Sequence, residues 1–391
     1  MFDRKKIPDD AKKILDSFDE IVFAARDLNA RKREKIFFDI KNLSHELTDE
    51  RTNRRVGYMN NAQSLTAYAS YFLWWNLERL VRLFSNLGES AFDLKENAVA
   101  LDIGSGPLTI PIALWLSRPE LREKKITFYC LDISQNALSL GEDLFLQIAA
   151  KTLKENREPW KIVKIHGEIG TEIRKKADFV FCANVFNEIL QRNREPTDFL
   201  SKKYANLLEK YCDSNAKIFL IEPGEPKSAH FISLMRSSLM KNGFFPDAPC
   251  PHFCACPMAG RTGGKTTKNG KNVKWCNFAF STKDAPSALK KLSEKANLPK
   301  DRAVLSFLLA HRADKIEKID ELKDERLKIR IASEPIRLND LGKSGRYACS
   351  AKGLLLAIEN FSTKNGDLLE IAPIPADAQI DKKSGATIVW L

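Results

Sequence analysis

The feature that most constrains the fold is an alternation that begins at Val99. Short runs rich in β-branched and aromatic residues occupy 99–103, 126–132, 160–165, 178–183 and 216–222, with longer stretches between them. The runs start about 20 to 40 residues apart, which leaves room for a crossover helix each time. Antiparallel hairpins need only a short turn, so this spacing predicts a parallel, doubly wound α/β sheet. Sheets of this kind bind their ligands at the carboxyl ends of the strands, near the point where strand order reverses.

The flanking regions read differently. Residues 1–90 are expected to be helical: Leu73, Leu77, Leu80, Val81 and Phe84 recur at helical spacing, with Tyr68, Phe72 and Trp75 as packing aromatics. After Glu222 a helix near 228–242 leads into 246–276, which is rich in Pro, Gly, Lys and Cys. Residues 273–280 and 304–310 are expected as late strands of the sheet. Residues 314–330 alternate acids and bases around Ile316, Ile319 and Leu322 and read as a solvated helix. From 331 to 391 short β-type runs between Gly, Asn and Pro turns suggest a small antiparallel module. The expected organisation is a helical region over 1–90, a Rossmann-like domain over 91–245, a Cys-rich insertion with the last strands over 246–330, and a β module over 331–391.

The first run ends in Leu101-Asp102-Ile103-Gly104-Ser105-Gly106-Pro107-Leu108, a strand, a glycine turn and the start of a helix. The glycines permit a tight turn and a close approach by a ligand. Asp132 ends the second run, where a carboxylate accepts ribose hydroxyls, and Glu168 follows the third. With Asp102, Gly104, Ser105, Gly106 and Asn184 they resemble the pattern of a class I S-adenosylmethionine (SAM) methyltransferase. A dinucleotide-binding turn would need a further glycine at Thr109. Many methyltransferases also have glycine where Leu108 stands. The fourth run leads into Asn184-Val185-Phe186-Asn187-Glu188, so Asn184 and Glu188 are the candidates on the methyl-acceptor side. No Asn/Asp-Pro-Pro-aromatic motif is present there.

Cysteine use points to a second chemistry. Three of the eight cysteines, Cys250, Cys254 and Cys256, fall within seven residues, and Cys276 follows. Thiolates in this density suit tetrahedral Zn or an iron–sulfur cluster. The spacing is not that of a zinc ribbon, and His252 is a possible nitrogen ligand. Cys130, Cys182 and Cys212 lie in or near core elements and read as buried thiols. Between Cys256 and Cys276 the cations Arg261, Lys265, Lys268, Lys271 and Lys274 occur without an acid. Lys and Arg exceed Asp and Glu by 63 to 51, a net charge of +12. That balance suits a polyanion such as RNA, with the basic loop as a phosphate-binding element. No stretch is long and apolar enough for a membrane helix, and Asp3, Asp9 and Asp10 do not suit a signal or transit peptide. A cytoplasmic protein in a reducing compartment is the expectation.

Several motifs together resemble the mitochondrial small-ribosomal-subunit methyltransferase-like proteins and their bacterial relatives, the group that includes methyltransferase-like protein seventeen. They are Gly104-Ser105-Gly106, Asn184 through Ile189, Glu222-Pro223-Gly224-Glu225-Pro226, Ala248 through His252, Cys256-Pro257 and Trp275-Cys276-Asn277-Phe278, spread over roughly residues 60 to 355. The resemblance implies a 4Fe–4S cluster on Cys250, Cys256, Cys276 and Cys349, with Cys254 an extra thiol. It also implies binding to the small ribosomal subunit and its rRNA during assembly or translation. Two other functions stay open: a catalytically active SAM-dependent rRNA methyltransferase, and a zinc-stabilised RNA-interaction module without catalysis.

Overall fold

The computed structural model describes residues 5–48, 57–260, 273–313, 326–338, 342–358 and 363–391. The chain forms two units, Phe2–Val185 with Ser281–Ala303, and Phe186–Phe280 with Val304–Leu391.

The first unit begins with helices α1 (Asp9–Asp16), α2 (Phe18–Ala25), α3 (Ala30–Thr48) and α4 (Ala62–Ala67). A wider π-type turn over Tyr68–Leu73 leads into α5 (Trp74–Asn86). Asn61 starts α4 by accepting from the amides of Gln63 and Ser64, the role expected of an Asn cap. The apolar positions read from the sequence, Leu77, Leu80, Val81 and Phe84, are all buried on α5. Trp74 Nε1 donates to Leu15 O at 2.8 Å, which ties α5 to α1.

Next come β1 (Ala98–Ile103), α6 (Thr109–Ser117), β2 (Ile126–Asp132), α7 (Gln135–Thr152), β3 (Lys161–His166) and β4 (Ala177–Ala183). β2 and β4 flank β1, β3 lies outside β2, and every pair is parallel. β1 is buried along its whole length, as a central parallel strand should be. The chain moves outward through β2 and β3 and then returns to the far side of β1 as β4. That reversal is the switch point, and the turn after β1 lies at it. This is the α/β Rossmann-like fold of the class I SAM methyltransferases.

The second unit contains α8 (Phe186–Arg192), α9 (Thr197–Tyr211), β5 (Cys212–Pro223), α10 (Pro226–Lys241), β6 (Phe244–Ala248), β7 (Phe278–Ser281) and β8 (Arg302–Arg312). β8 runs antiparallel to β5 and to β6, and β7 also pairs with it. The late strands therefore depart from the parallel pattern. Of the strand expected over 273–280 only the end forms, as β7. The strand β6 escaped the sequence reading because Pro246 interrupts it, and the register shifts at that proline.

The C-terminal sheet has β9 (Leu327–Ile331), β10 (Ile336–Leu338), β11 (Lys343–Ser350), β12 (Gly353–Ile358), β13 (Leu368–Ile371) and β14 (Thr387–Trp390). Its order is β13-β9-β11-β12-β14, with β10 on β11. Two expectations need correction here. The helix read over 314–330 fails at its end, where 327–331 is strand β9; residues 314–325 lie outside the described residues. Ile329 and Ile331 alternate into a buried layer with Ala348, Leu355, Ala357 and Val389, a period of two that the surrounding charges hid. The module is also not wholly antiparallel, since β12 and β14 pair in parallel. No helix among the described residues is long and apolar enough to cross a membrane.

Candidate functional site

At the end of β1 the chain turns sharply through Gly104 (φ +68°) and Gly106 (φ +50°). A Cβ on Gly104 would lie 2.3 Å from Val185 Cγ2, so a side chain has no room there. The amides of Gly104 and Ser105 donate to Leu131 O at 2.8 and 3.1 Å. Ser105 Oγ donates to Asp102 Oδ2 at 2.6 Å. Burial pushes the Asp102 carboxyl up to about 8, so it is protonated at neutral pH and holds the turn together. Leu108 sits at φ +55°, the left-handed backbone that a glycine would take without strain. Leu108 thus holds a conformation that glycine adopts more readily. Behind it, a Cβ on Gly141 of α7 would lie 2.4 Å from the carbonyl carbon of Pro107. The α7 backbone packs directly on the turn.

Asp132 closes β2 with both oxygens engaged: Oδ2 accepts from Gly106 N and Oδ1 from Ser134 N, each at 2.8 Å. A carboxylate keeps lone pairs beyond two such bonds, so ribose hydroxyls remain compatible with it. Glu168 follows β3 and is exposed. Asn184 follows β4 at φ +57°, and its Oδ1 accepts from Arg79 Nη2 at 3.2 Å. Asp102, Gly104, Ser105, Gly106, Asp132, Glu168 and Asn184 therefore all lie in the first unit, at the carboxyl ends of its parallel strands. Two neighbours were missed. Asn60 Oδ1 accepts from Ser134 Oγ at 2.8 Å, and Met59 Cε lies 3.8 Å from the Cβ position of Gly106. Nothing periodic marks these residues, which belong to a short turn before α4. A separate groove of about 900 Å³, lined by Lys5, Lys6, Phe92, Arg118 and Lys124, includes none of the expected cofactor residues.

Glu188 lies on α8 in the second unit, 3.8 Å from Arg192. Glu222 of that unit carries a fully buried carboxylate. Its oxygens accept from the amides of Phe186 at 2.8 Å and Asn187 at 3.0 Å, capping the start of α8. This gives the Glu222-Pro223-Gly224 motif a structural role. Gly224 adds to it: a Cβ there would lie 2.3 Å from Val304 Cγ1, and its carbonyl accepts from Trp275 Nε1 at 3.1 Å.

The cysteines gather within the same unit. Gly260 N donates to Lys274 O at 3.0 Å and Cys276 N to Met258 O at 3.1 Å, so 258–260 pairs with 274–276 and draws Cys256 and Cys276 together. Cys349 arrives on β11. Cys276 feels the charges of Cys349, Cys256 and Cys250, Cys349 those of Cys250 and Cys256, and Cys250 that of Cys256. Desolvation and these like charges push the thiols of Cys276 and Cys349 well up; burial does the same for Cys250, against the pull of Arg236. Cys254 is exposed. Among the described residues, no three His, Cys, Asp or Glu side chains stand in a ready metal-ligating group.

Two buried arginines fix this region. Arg236 Nη2 donates to His252 O at 2.8 Å, and its charge acts on the Cys250 thiol. Arg330 Nε donates to Pro249 O at 2.7 Å and Nη1 to Gly366 O at 2.8 Å. His252 is buried, and desolvation with the nearby Arg236 pushes it down to about 4, so the ring is neutral. Of the basic loop, Arg261, Lys265, Lys268 and Lys271 lie outside the described residues. Lys274 is described and packs over the Tyr347 ring. Cys130, Cys182 and Cys212 are buried, in keeping with core thiols.

A family model described as mitochondrial small ribosomal subunit Rsm22 matches residues 62–338. The chain belongs to this family. The description places the family in the mitochondrial small subunit, so the expectation of a cytoplasmic protein is not carried forward. No curated protein matches the chain. Among solved structures, magnesium protoporphyrin IX methyltransferase from Synechocystis PCC 6803 with bound SAM is 15% identical, covers 71% of this chain and 97% of its own, and has a TM-score of 0.33. A SAM-dependent methyltransferase from Geobacter sulfurreducens in complex with S-adenosyl-L-homocysteine is 12% identical, covers 60% and 91%, and also scores 0.33. Scores this low add no weight, and the fold assignment rests on the strand order above.

Proposed function

We propose that this methyltransferase-fold protein of the small ribosomal subunit carries a 4Fe–4S cluster on Cys250, Cys256, Cys276 and Cys349 and binds small-subunit rRNA. The observation that carries the reading is the convergence of three stretches of chain: the 258–260 segment after Cys256 pairs with 274–276, and Arg330, opposite Cys349 on β11, bonds Pro249 O beside Cys250, so the four thiols come within electrostatic reach of one another. A neutral thiol tolerates burial, and a metal centre takes the thiolate in its place. Arg236 and Arg330 supply buried positive charge beside a centre that would be anionic. When bound, the cluster joins the 250–256 loop, the 276 segment and β11, and so stabilises the C-terminal sheet. The family's place in the small subunit and the net charge of +12 support rRNA as the partner.

The glycine turn supports SAM binding at Asp132 and Gly104 to Gly106, with Glu168 at the adenine side, Asp102 near the methionine part and Asn184 at the neighbouring strand end. Catalysis is a second reading, favoured by the left-handed, glycine-like backbone at Leu108. Isothermal titration with SAM separates the two. Micromolar binding with methyl transfer to small-subunit rRNA supports an enzyme, and binding without transfer supports a structural ligand. The absence of heat removes the cofactor from the account. Co-sedimentation with small-subunit particles tests the RNA reading. Migration free of particles and RNA at low salt sinks it.

A further inference from the structure

One face of the C-terminal sheet carries two cation–aromatic pairs beside the thiols. Alternate residues of a strand share a face, so Lys343, Gly345, Tyr347 and Cys349 line up along β11. Gly345 stands opposite Ile358 on β12, and Ile358 is paired in turn with Trp390 on β14. Lys343 Nζ lies 4.8 Å from the centroid of the Trp390 ring, and Lys274 Nζ lies 4.2 Å from that of Tyr347. Tyr347 is buried, but Trp390 keeps 55% of its surface exposed. β14 is the last strand in the ladder order, so the indole stands at the rim of the sheet. An exposed indole is costly to leave in water, and one flanked by a lysine presents the two groups that an unpaired nucleotide uses: a flat π-face for the base and a cation for the phosphate.

We propose that this face binds an unpaired stretch of RNA, with a base stacked on the Trp390 indole and the flanking phosphates neutralised by Lys343 and Lys274. RNA is chosen over a protein surface by charge: both aromatic rings are topped by lysines, Lys274 closes the acid-free basic segment that starts at Arg261, and the whole chain is cationic. The inference rests on the reading of the chain as an rRNA-binding protein and supplies a surface which that reading leaves open. It gives the last strand of the chain a function and sets the RNA beside Cys349, two residues from Tyr347.

The test is fluorescence anisotropy of the full chain, purified without oxygen, against a fluorescein-labelled oligouridylate at low salt. Trp390→Ala is expected to weaken binding about ten-fold or more, because one lost base stack is worth that much. Trp390→Phe should restore most of the affinity, which a purely structural role would not require. Lys343→Ala should lower the salt dependence by about one phosphate contact. Unchanged thermal melting of Trp390→Ala keeps the result interpretable. Wild-type affinity in Trp390→Ala, with loss on replacing Arg261, Lys265, Lys268 and Lys271 by Ala, overturns this surface but leaves RNA binding intact. Normal oligouridylate binding by Trp390→Ala together with failure to join small-subunit particles assigns the face to a protein partner and likewise overturns it. A wild-type chain that binds neither oligouridylate nor an rRNA fragment overturns both this inference and the reading beneath it.

Discussion

Cys349 on β11 stands directly opposite Arg330 on β9 in the antiparallel ladder. The two side chains therefore share a face, and the Arg330 guanidinium reaches from there to Pro249 O and Gly366 O. One buried cation thus links a thiol of the β module, the loop that carries Cys250 and the turn before β13.

Replacing Arg330 tests that link. Arg330→Leu leaves two buried carbonyls without their donors, and each such loss costs about 1–3 kcal/mol. A destabilisation of about 2–4 kcal/mol is expected in urea unfolding. Stability within about 0.5 kcal/mol of wild type would show that water replaces the guanidinium and that the link is dispensable.

Gly141→Ala probes the packing of α7 on the glycine turn. Alanine has the better helix propensity by about 1 kcal/mol, so an unhindered site would gain stability. Here the added carbon would meet the backbone of Pro107 and Leu108 at 2.4 and 2.7 Å. A loss of about 1–3 kcal/mol is expected, with weaker SAM binding because the turn moves. A gain in melting temperature would contradict the close approach.

Glu222→Ala exposes the cap of α8. It leaves the buried amide of Phe186 and the half-buried amide of Asn187 without their carboxylate, at a cost of about 2–4 kcal/mol. Glu222→Gln keeps one acceptor oxygen and should recover part of that loss. Equal stabilities for both variants, measured by chemical denaturation, would show that the side chain does not cap the helix.

Asp102 gives the pH dependence. Its folded pKa stands at about 8 against an ordinary value of 3.8. Between those values the folded chain holds a proton that the unfolded chain has released. The associated stability is present at low pH and is lost as pH rises through the folded value. Asp102→Asn resembles the protonated form, so its stability relative to wild type should rise with pH across this window, by up to about 1.4 kcal/mol per unit. Urea unfolding at about pH 5.5 and about pH 7.5 reads the difference. A constant difference would mean that Asp102 is ionised in the fold.

The parallel core was legible because its central strands, β1 and β4, are buried almost throughout and read as apolar runs. The pairs of β1 with β2 and β4 put Asp102, Asp132 and Asn184 at neighbouring strand ends, as the spacing implied. The late strands were harder. Pro246 disguised β6, and acids and bases around Ile329 imitated a helical face in what is β9. Met59 and Asn60 carry no pattern at all; their place over the glycine turn is set by tertiary packing. Glu222 stands out in the sequence only as part of a motif; that its carboxylate serves α8 follows from its tertiary contacts. The thiol set came from a resemblance, since spacing alone left Cys254 and His252 in contention. The two differ in the fold: Cys254 is exposed, whereas His252 is buried.

The most direct test of the account is iron and acid-labile sulfide in the full chain purified without oxygen, with a visible spectrum. The account predicts about four irons and four sulfides per chain and broad absorption towards the blue end of the visible. Serine at Cys250, Cys256, Cys276 or Cys349 should abolish the signal, and serine at Cys254 should leave it. A colourless protein holding one zinc, or a cluster that survives Cys349→Ser but not Cys254→Ser, would contradict it.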